Sequence, residues 1–566
     1  MFLKNIQSEF YDVVNGKQCL ILVNFDVDAI CASKILQTLF KNDNVVYTLV
    51  PVHGVSDMIK AFKDNSEEIE YVIMINCGGT LDIVDILKPE ENVIFFILDS
   101  HRPFDLCNVY NEKQVLIIAD EAAEEDIPNY EDVFNDESSD EEAEEEENGS
   151  DEENESRQAK KRRLMENKIL KKRNLREWEE KRDTIMFNYT QYSYYGKSTA
   201  VIVYEMAWQM SRDNLDMVWW AIVGSTEQAI LNKVESSTSV LESGTLQGHV
   251  SRLSHTRGGD ADRQQLSAVK VSYEKDLQLA LYRHWTVEDS LKHSMMTAVT
   301  MRLWSIKGDQ KLKKLLADMG LPLIQAKQKF SAMDLSYRNE FKGMLEKLAE
   351  KYNLEKVVCA SFSIHHGYRF KYCASDIVYA MLAILESTSK DRPPEKCFLE
   401  ASDCLVRTNK DILDKGIEKA KTMLVSIFKT AQGTLELKQV VNAGTFLYIL
   451  LSEGILHFHL FSHPHALLML ANFTLRAYVD SSKNRKVHTL PLVASSIISV
   501  EKGTCLIVGI PPVIEEQPRS LFGRAFEQAA KNTNASIEAD YFDTTIARLK
   551  TEDRPKFLDA LATLLS

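Results

Sequence analysis

The sequence predicts an α/β protein. It places a parallel sheet at the N-terminus, broken by a disordered acidic insert, then a central helical region, then a second α/β domain at the C-terminus. Three observations lead to this. Apolar runs of strand character, Ile21-Leu22-Val23, Tyr71–Ile75 and Val93–Leu98, each end abruptly in polar residues. After the first run, Ile30, Ile35, Leu36, Leu39 and Phe40 recur at helical spacing, so strand and helix alternate as in a parallel sheet with covered faces. Strand and helix patterns then return after residue 356, beyond a stretch that reads as mostly helical.

A chain of 566 residues is too long for one core, and two to four domains are expected. The pattern divides it into an α/β domain of residues 1–119 and 184–233, an insert of 120–183, a helical inter-domain and insertion region of 234–355, and an α/β domain of 356–566. Nine scattered cysteines without a C-x-x-C pair point to a reduced intracellular protein with neither a disulfide frame nor a zinc module. Residues 1–17 are mixed polar and amphipathic, unlike a signal peptide. The apolar stretch Val440–Leu451 is broken by Asn442 and closed by Glu453, so no membrane span is expected.

Taken in order, the first three strands deliver Asp26 and Asp28, then Asn76-Cys77-Gly78-Gly79, then Asp99-Ser100-His101. Ligands bind beyond the carboxyl ends of parallel strands, so the three clusters are expected to converge. Asp26, Asp28, Asp99 and His101 around one crevice suit a divalent cation and phosphoryl chemistry. Asp26 and Asp28 also read as a capping pair at a strand-to-helix turn. No G-x-G-x-x-G follows the first strand, which excludes a dinucleotide fold of the Rossmann type. Gly196-Lys197-Ser198 hints at a phosphate loop, but Gln191 stands where its first glycine belongs, and no ATPase signal survives. Ser198 instead reads as the N-cap of an apolar helix, and Trp219 and Trp220 as core residues.

Residues 120–155 hold twenty acidic residues and no Lys or Arg, so removing them from the chain's net charge of −16 leaves +4 for the remainder. Such a run cannot bury enough apolar surface to fold. It reads either as a solubilising loop or as a segment that repels stray nucleic acid or mimics DNA toward a basic partner. Ser138, Ser139 and Ser150 lie in acidic contexts suited to an acid-directed kinase. Lys160, Lys161, Arg162 and Arg163, followed by Lys171, Lys172 and Arg173, match a bipartite nuclear import signal, and equally a charged helix.

The central region is expected to carry helices at Leu279–Trp285, Leu312–Met319 and Phe341–Lys351, a turn at Gly320-Leu321-Pro322, little strand, and a mobile loop at 254–264. Ten basic against six acidic residues over 305–352 is too small an excess for a nucleic-acid claim. In the C-terminal domain, strands are expected at Val357–Ile364, Val487–Leu492 and Cys505–Ile510, with helices at Ala374–Leu385 and from Phe522. His365-His366 reads as a turn. His457 and His459 would share a strand face, and His463 and His465 follow, but no acid or cysteine stands at ligand spacing, so no metal is assigned. Phe557, Leu558, Leu561 and Leu565 suggest a docked terminal helix.

These motifs resemble the DHH phosphoesterase superfamily, which includes the RecJ single-strand exonucleases. The first motif stands here as Asn24-Phe25-Asp26-Val27-Asp28-Ala29, the second as Asn76-Cys77-Gly78, the name motif as Asp99-Ser100-His101, and a fourth as Gly224-Ser225-Thr226-Glu227. Asn24 and Asn76 replace carboxylates, Ser100 replaces an imidazole and Ala29 a glycine. The resemblance therefore implies a degenerate metal site at Asp26, Asp28, Asn76, Asp99, His101 and Glu227, no catalytic residue, no bound metal and no cofactor. It also implies that the N-terminal domain is DHH-like and the C-terminal one is like the DHHA1 domain that follows it, although the glycine-rich substrate motif of active relatives is missing. Further pieces, among them His101-Arg102-Pro103, Trp219-Trp220-Ala221-Ile222-Val223-Gly224, Ala317–Leu323 and Phe522-Gly523-Arg524-Ala525-Phe526-Glu527, narrow the resemblance to the cell division control protein 45 family, inactive relatives of RecJ. That implies a nuclear, non-enzymatic replication factor partnered with the minichromosome maintenance ring and the GINS complex, with replicative polymerase and origin-firing factors nearby. Single-stranded DNA would lie in the groove between the α/β domains. The rival expectation is a metal-dependent single-strand nuclease or phosphodiesterase that uses the reduced site.

Overall fold

Cys19 to Val23 are buried on both faces of the strand Gln18–Asn24, as befits the interior of a parallel sheet. The strand pairs in parallel with Val46–Val52 on one side and Tyr71–Ile75 on the other. Ile94–Leu98 and Val115–Ile117 extend the sheet beyond Tyr71–Ile75. After Val46–Val52 the chain crosses back over the first strand, so the strand order reverses between Gln18–Asn24 and Tyr71–Ile75. A crevice opens at that switch point, beyond the carboxyl ends of both strands. Asp26 and Asn76 lie there.

This computed structural model describes residues 1–565 apart from 66–68, 121, 135–153, 257–269, 367–369, 390, 453, 456, 514–517, 534–536 and 539. The chain forms two compact units, Met1–Ala119 with Ser193–Ser566, and Asp120–Tyr192. No helix among the described residues is long and apolar enough to cross a membrane.

In the larger unit, the helix Val27–Asp43 is buried along most of its length and ends at Asn44, whose left-handed backbone (φ 55°) closes the last turn. It packs against Thr199–Gln209 and Leu215–Ile230, and the latter also packs on Ala374–Leu385. The C-terminal region carries a six-stranded sheet ordered Val441–Asn442, Leu447–Leu450, Leu492–Ser499, Thr504–Ile510, Ile546–Lys550, Ile537–Glu538. Among the described residues of this sheet, only Leu447–Leu450 with Leu492–Ser499 is a parallel pair. The helix Arg554–Leu564 docks on it through the fully buried Phe557 and Leu561.

Several expectations need correction. Residues 234–355 do contain a strand, Lys270–Leu277, the edge of an antiparallel sheet with Val358–His366 and Phe370–Cys373. Its polar residues hid its alternation. Residues 279–285 form turns instead of a helix: Leu281 has φ 53°, and Asp276 folds the chain back by accepting from Tyr282 Oη and Arg283 Nη2 at 2.6 Å each. The Val487–Leu492 strand is displaced. Asn484 caps a 3₁₀ turn, Arg485–Thr489, and the strand starts at Leu492, after Pro491. His457 and His459 flank the start of a 3₁₀ turn, Phe458–Ser462, rather than a strand, because His457 adopts φ 55°. His365 and His366 end the strand Val358–His366. Trp219 is core, whereas Trp220 is half-buried. Other expectations hold, including Ala374–Leu385, the turn at Gly320 (φ 70°) after Ile306–Asp318, and the helix Phe522–Thr533.

In the smaller unit, the acidic run is helical at Ala122–Glu125 and Tyr130–Val133, against the expectation of disorder from Asp120 onward. Trp178 Nε1 donates to the Glu131 carbonyl at 3.1 Å and Lys181 pairs with Asp132 at 2.6 Å, tying the second short helix to Asn154–Thr190. Residues 135–153, with Ser138, Ser139 and Ser150, lie outside the described residues. So does most of the 254–264 loop.

Candidate functional site

Asp26 ends the first strand's exit turn and caps the helix Val27–Asp43, its Oδ1 accepting from Ala29 N at 2.6 Å. Within the first turn of that helix, Asp28 reaches a different segment. Its Oδ1 accepts from Ser198 Oγ at 2.5 Å and Ala200 N at 3.0 Å, and its Oδ2 accepts from Thr199 N at 2.9 Å. Asp28 therefore caps the helix Thr199–Gln209 from another segment of the chain, since carboxylates favour helix N-termini. Ser198, expected to cap that helix, makes no capping bond and donates to Asp28 instead.

Asn76, at φ 52° beyond the third strand, joins the two acids. Its Nδ2 donates to Asp28 Oδ2 at 3.1 Å and to Asp26 Oδ1 at 3.3 Å. Its Oδ1 accepts from Thr199 Oγ1 at 2.5 Å and Ser100 N at 3.1 Å. Asn24 Nδ2 adds a bond to Asp26 Oδ2 at 2.7 Å. Burial and the neighbouring Asp26 charge push the Asp28 carboxyl up, against the donors around it.

From the fourth strand, Asp99 accepts Gly79 N on Oδ2 at 2.8 Å, and on Oδ1 both the backbone N (2.9 Å) and ring Nδ1 (2.6 Å) of His101. Burial alone would raise Asp99 and lower His101. Their mutual attraction outweighs it, so Asp99 is held below and His101 above its ordinary value. The sequence thus brings Asp26, Asp28, Asn76, Asp99 and His101 together as expected.

Glu227 lies on Leu215–Ile230, fully buried and raised by burial. Its Oε1 accepts from Lys233 Nζ at 2.9 Å. Lys233 was not singled out from sequence, because a pair six residues apart does not share a helix face. The helix ends at Leu231, and Asn232, at φ 57°, turns the chain so that Lys233 N donates back to the Gln228 carbonyl at 2.8 Å. An Asn just past an apolar helix was the available signal. Lys233, Asp26 and His101 line a small cavity with Glu386, His465 and Asp543. Among these, His465 Nδ1 lies 2.7 Å from Glu386 Oε1. His463 and His465, not assigned as metal ligands, both line this cavity, and His465 has an acid partner 79 residues away in sequence.

A divalent cation fits this donor set poorly. All six carboxylate oxygens of Asp26, Asp28 and Asp99 already accept hydrogen bonds. Two of the residues in contact with Asp26 present amide hydrogens where an ion needs lone pairs. Among the described residues, three possible ligand atoms come within 4.8 Å of one another at Asp82, Asp105 and Cys107, and not here. Those two acids cap short helices at 3.1 and 2.8 Å, which accounts for their placement.

Beside the crevice lies a cleft of about 440 Å³, lined among others by Arg102, Tyr194, Lys233, Lys356, Arg476 and Pro512. In the smaller unit, Lys160 to Arg163 and Lys171 to Arg173 fall on Asn154–Thr190. Lys171, Lys172 and Arg173 are exposed, and Arg173 Nε donates to Glu177 at 2.9 Å.

The model of the CDC45 family matches residues 19–564. The human cell division control protein 45 homolog is 42% identical over 567 residues, covering all of both chains. The Schizosaccharomyces pombe homolog is 28% identical across 97% of this chain and 96% of its own. The crystal structure of CDC45 from Entamoeba histolytica superposes with a TM-score of 0.71 at 24% identity over the whole of both chains, a likeness of fold. With a family pattern spanning nearly every residue and a relative this similar from end to end, the chain belongs to the CDC45 family of cell division and DNA replication proteins.

Proposed function

We propose that this DNA replication protein is non-catalytic: a structural subunit of the replicative helicase, working in the nucleus with the minichromosome maintenance ring and the GINS complex, and close to replicative polymerase and origin-firing factors. The observation that carries the reading is the saturation of the crevice. Asn24, Asn76, Ser198, Thr199 and backbone amides occupy the oxygens that a two-ion phosphoesterase would give to metal. What remains is a cross-brace of buried, charge-assisted bonds, each contributing about 1.5–3 kcal/mol, which locks strand ends to two helices. Asp26, Asp28, Asn76, Asp99 and His101 would then be remnants turned to structural use, and Glu227 a group neutralised by Lys233.

The cleft supports single-stranded DNA as a ligand. Arg102, Lys356 and Arg476 line it together with Tyr194, and cations with aromatic faces are what a backbone-tracking groove needs. Affinity should be modest and salt-sensitive. Lys160 to Arg163 and Lys171 to Arg173 would serve as the import signal, and Ser138, Ser139 and Ser150 as kinase sites. The deciding experiment incubates purified protein and an Asp99→Ala variant with manganese and labelled single strands, then reconstitutes the protein with the ring and GINS. No cleavage by either, with incorporation into the assembly, is expected. Cleavage that vanishes in Asp99→Ala would replace this reading with the nuclease.

A further inference from the structure

We infer that Lys233 is a built-in cation that stands in for metal at this site, balancing the buried carboxylates so that the fold is complete without an ion. Three of the acidic side chains around Lys233 are Asp26 at the cap of the helix Val27–Asp43, Glu227 from Leu215–Ile230, and Asp543 from the C-terminal region. Buried charge of one sign is costly unless paired. In a metal-dependent relative the ion would supply the compensation, but here the amide-filled donor set does not fit one.

Lys233 is placed to take that part. Its side chain is 12% exposed, against 0% for Glu227, with which it pairs at 2.9 Å. Its Nζ also lies 4.8 Å from the centroid of the Tyr195 ring, a cation–π distance, and the Tyr195 hydroxyl donates to Asp543. The ammonium borders the same cavity as Asp26, Asp543 and His101. Glu227 Oε2 has no hydrogen-bond partner among the described residues, so Lys233 is the group that holds this carboxylate. The left-handed turn at Asn232 aims the side chain back at the acids.

The inference rests on the non-catalytic reading, but it is tested by stability and binding. DNA cleavage by the wild type would refute the reading, while the couplings below decide the role of Lys233. Urea unfolding of the full chain is measured in manganese and in chelator. The wild-type midpoint is expected to be the same in both, and a rise with manganese overturns the proposal. Lys233→Met should lower the midpoint, and adding Glu227→Gln should recover part of the loss. A double variant no more stable than Lys233→Met would mean that the side chain packs instead of balancing charge. If Lys233→Met does not fold, a folded double variant supports the proposal and an unfolded one refutes it.

The second arm restores carboxylates with Asn24→Asp and Asn76→Asp and titrates manganese calorimetrically. Adding Lys233→Met to this pair should tighten manganese binding by at least about ten-fold, because a like charge beside the ion is removed. If that triple variant folds only with manganese, the stand-in role is supported. Equal affinity with and without Lys233, or a triple variant that stays unfolded in manganese, overturns it.

Discussion

Asn76→Asp isolates what the amide does at the crevice. The change keeps the shape and the two bonds that Asn76 Oδ1 accepts from Thr199 Oγ1 and Ser100 N. It removes the Nδ2 donor shared by Asp28 at 3.1 Å and Asp26 at 3.3 Å, and puts a third carboxyl against two buried ones. The folded protein can avoid the repulsion by binding a proton there, and the protonated carboxyl would donate as the amide does. The cost is then that of protonating a group whose unfolded value is about 3.9, at about 1.36 kcal/mol per pH unit. This comes to about 4 kcal/mol at pH 7 and about 1.5 kcal/mol at pH 5. The sign follows from linkage: the folded variant holds more protons than the unfolded chain above pH ~4, so its stability falls as pH rises through that range. Asp28, already raised by burial and by Asp26, shows the same direction in the wild type. Urea unfolding of both proteins at pH 7 and pH 5 measures the difference at each pH. A penalty that does not change with pH, or none at pH 7, would refute the claim that the amide replaces a proton or an ion.

Gly224→Ala adds a Cβ that would lie 2.6 Å from Asp28 Oδ1 and 2.7 Å from Ala200 Cβ. Overpacking of about 1–3 kcal/mol should outweigh the helix-propensity gain of about 1 kcal/mol, and a more stable variant in urea would contradict it. For the Glu386–His465 pair, burial would raise the acid and lower the imidazole, but their contact holds Glu386 down and His465 up. The His465 contribution is therefore complete below its unfolded value of about 6.5 and fades as pH rises through the folded value. His465→Gln should cost more at pH 6 than at pH 9 by thermal unfolding, and an equal cost would refute the pairing. Lys356 is exposed on the rim of the cleft, so Lys356→Ala should leave the unfolding midpoint unchanged. It should also weaken single-strand binding with a salt slope smaller by about 1; fluorescence anisotropy at several salt concentrations checks this.

The strands and the first helix could be read directly because their burial is local and periodic. Tyr71–Ile75 is a continuous apolar run, and Val27–Asp43 buries Ile30, Ile35, Leu36, Leu39 and Phe40 at helical spacing. The convergence of Asp26, Asp28, Asn76 and Asp99 was also legible, since parallel strands deliver their carboxyl ends to one edge. Where polar residues carry a strand, as at Lys270–Leu277, or a single left-handed residue redirects the chain, as at Leu281 and His457, the local pattern misleads.

By itself, then, the sequence determined the family, the strands that deliver Asp26, Asn76 and Asp99, and the presence of amides at Asn24 and Asn76, all of which are matters of residue identity and spacing. Only the tertiary structure decided which groups meet the buried carboxylates. Ser198 and Thr199 reach Asp28 across 170 and 171 residues, Glu386 reaches His465 across 79, and Lys233 turns back onto Glu227. Hydrogen bonds and ion pairs depend on distances of a few ångströms, and those distances are set by how helices pack on the sheet. No one-dimensional spacing records that.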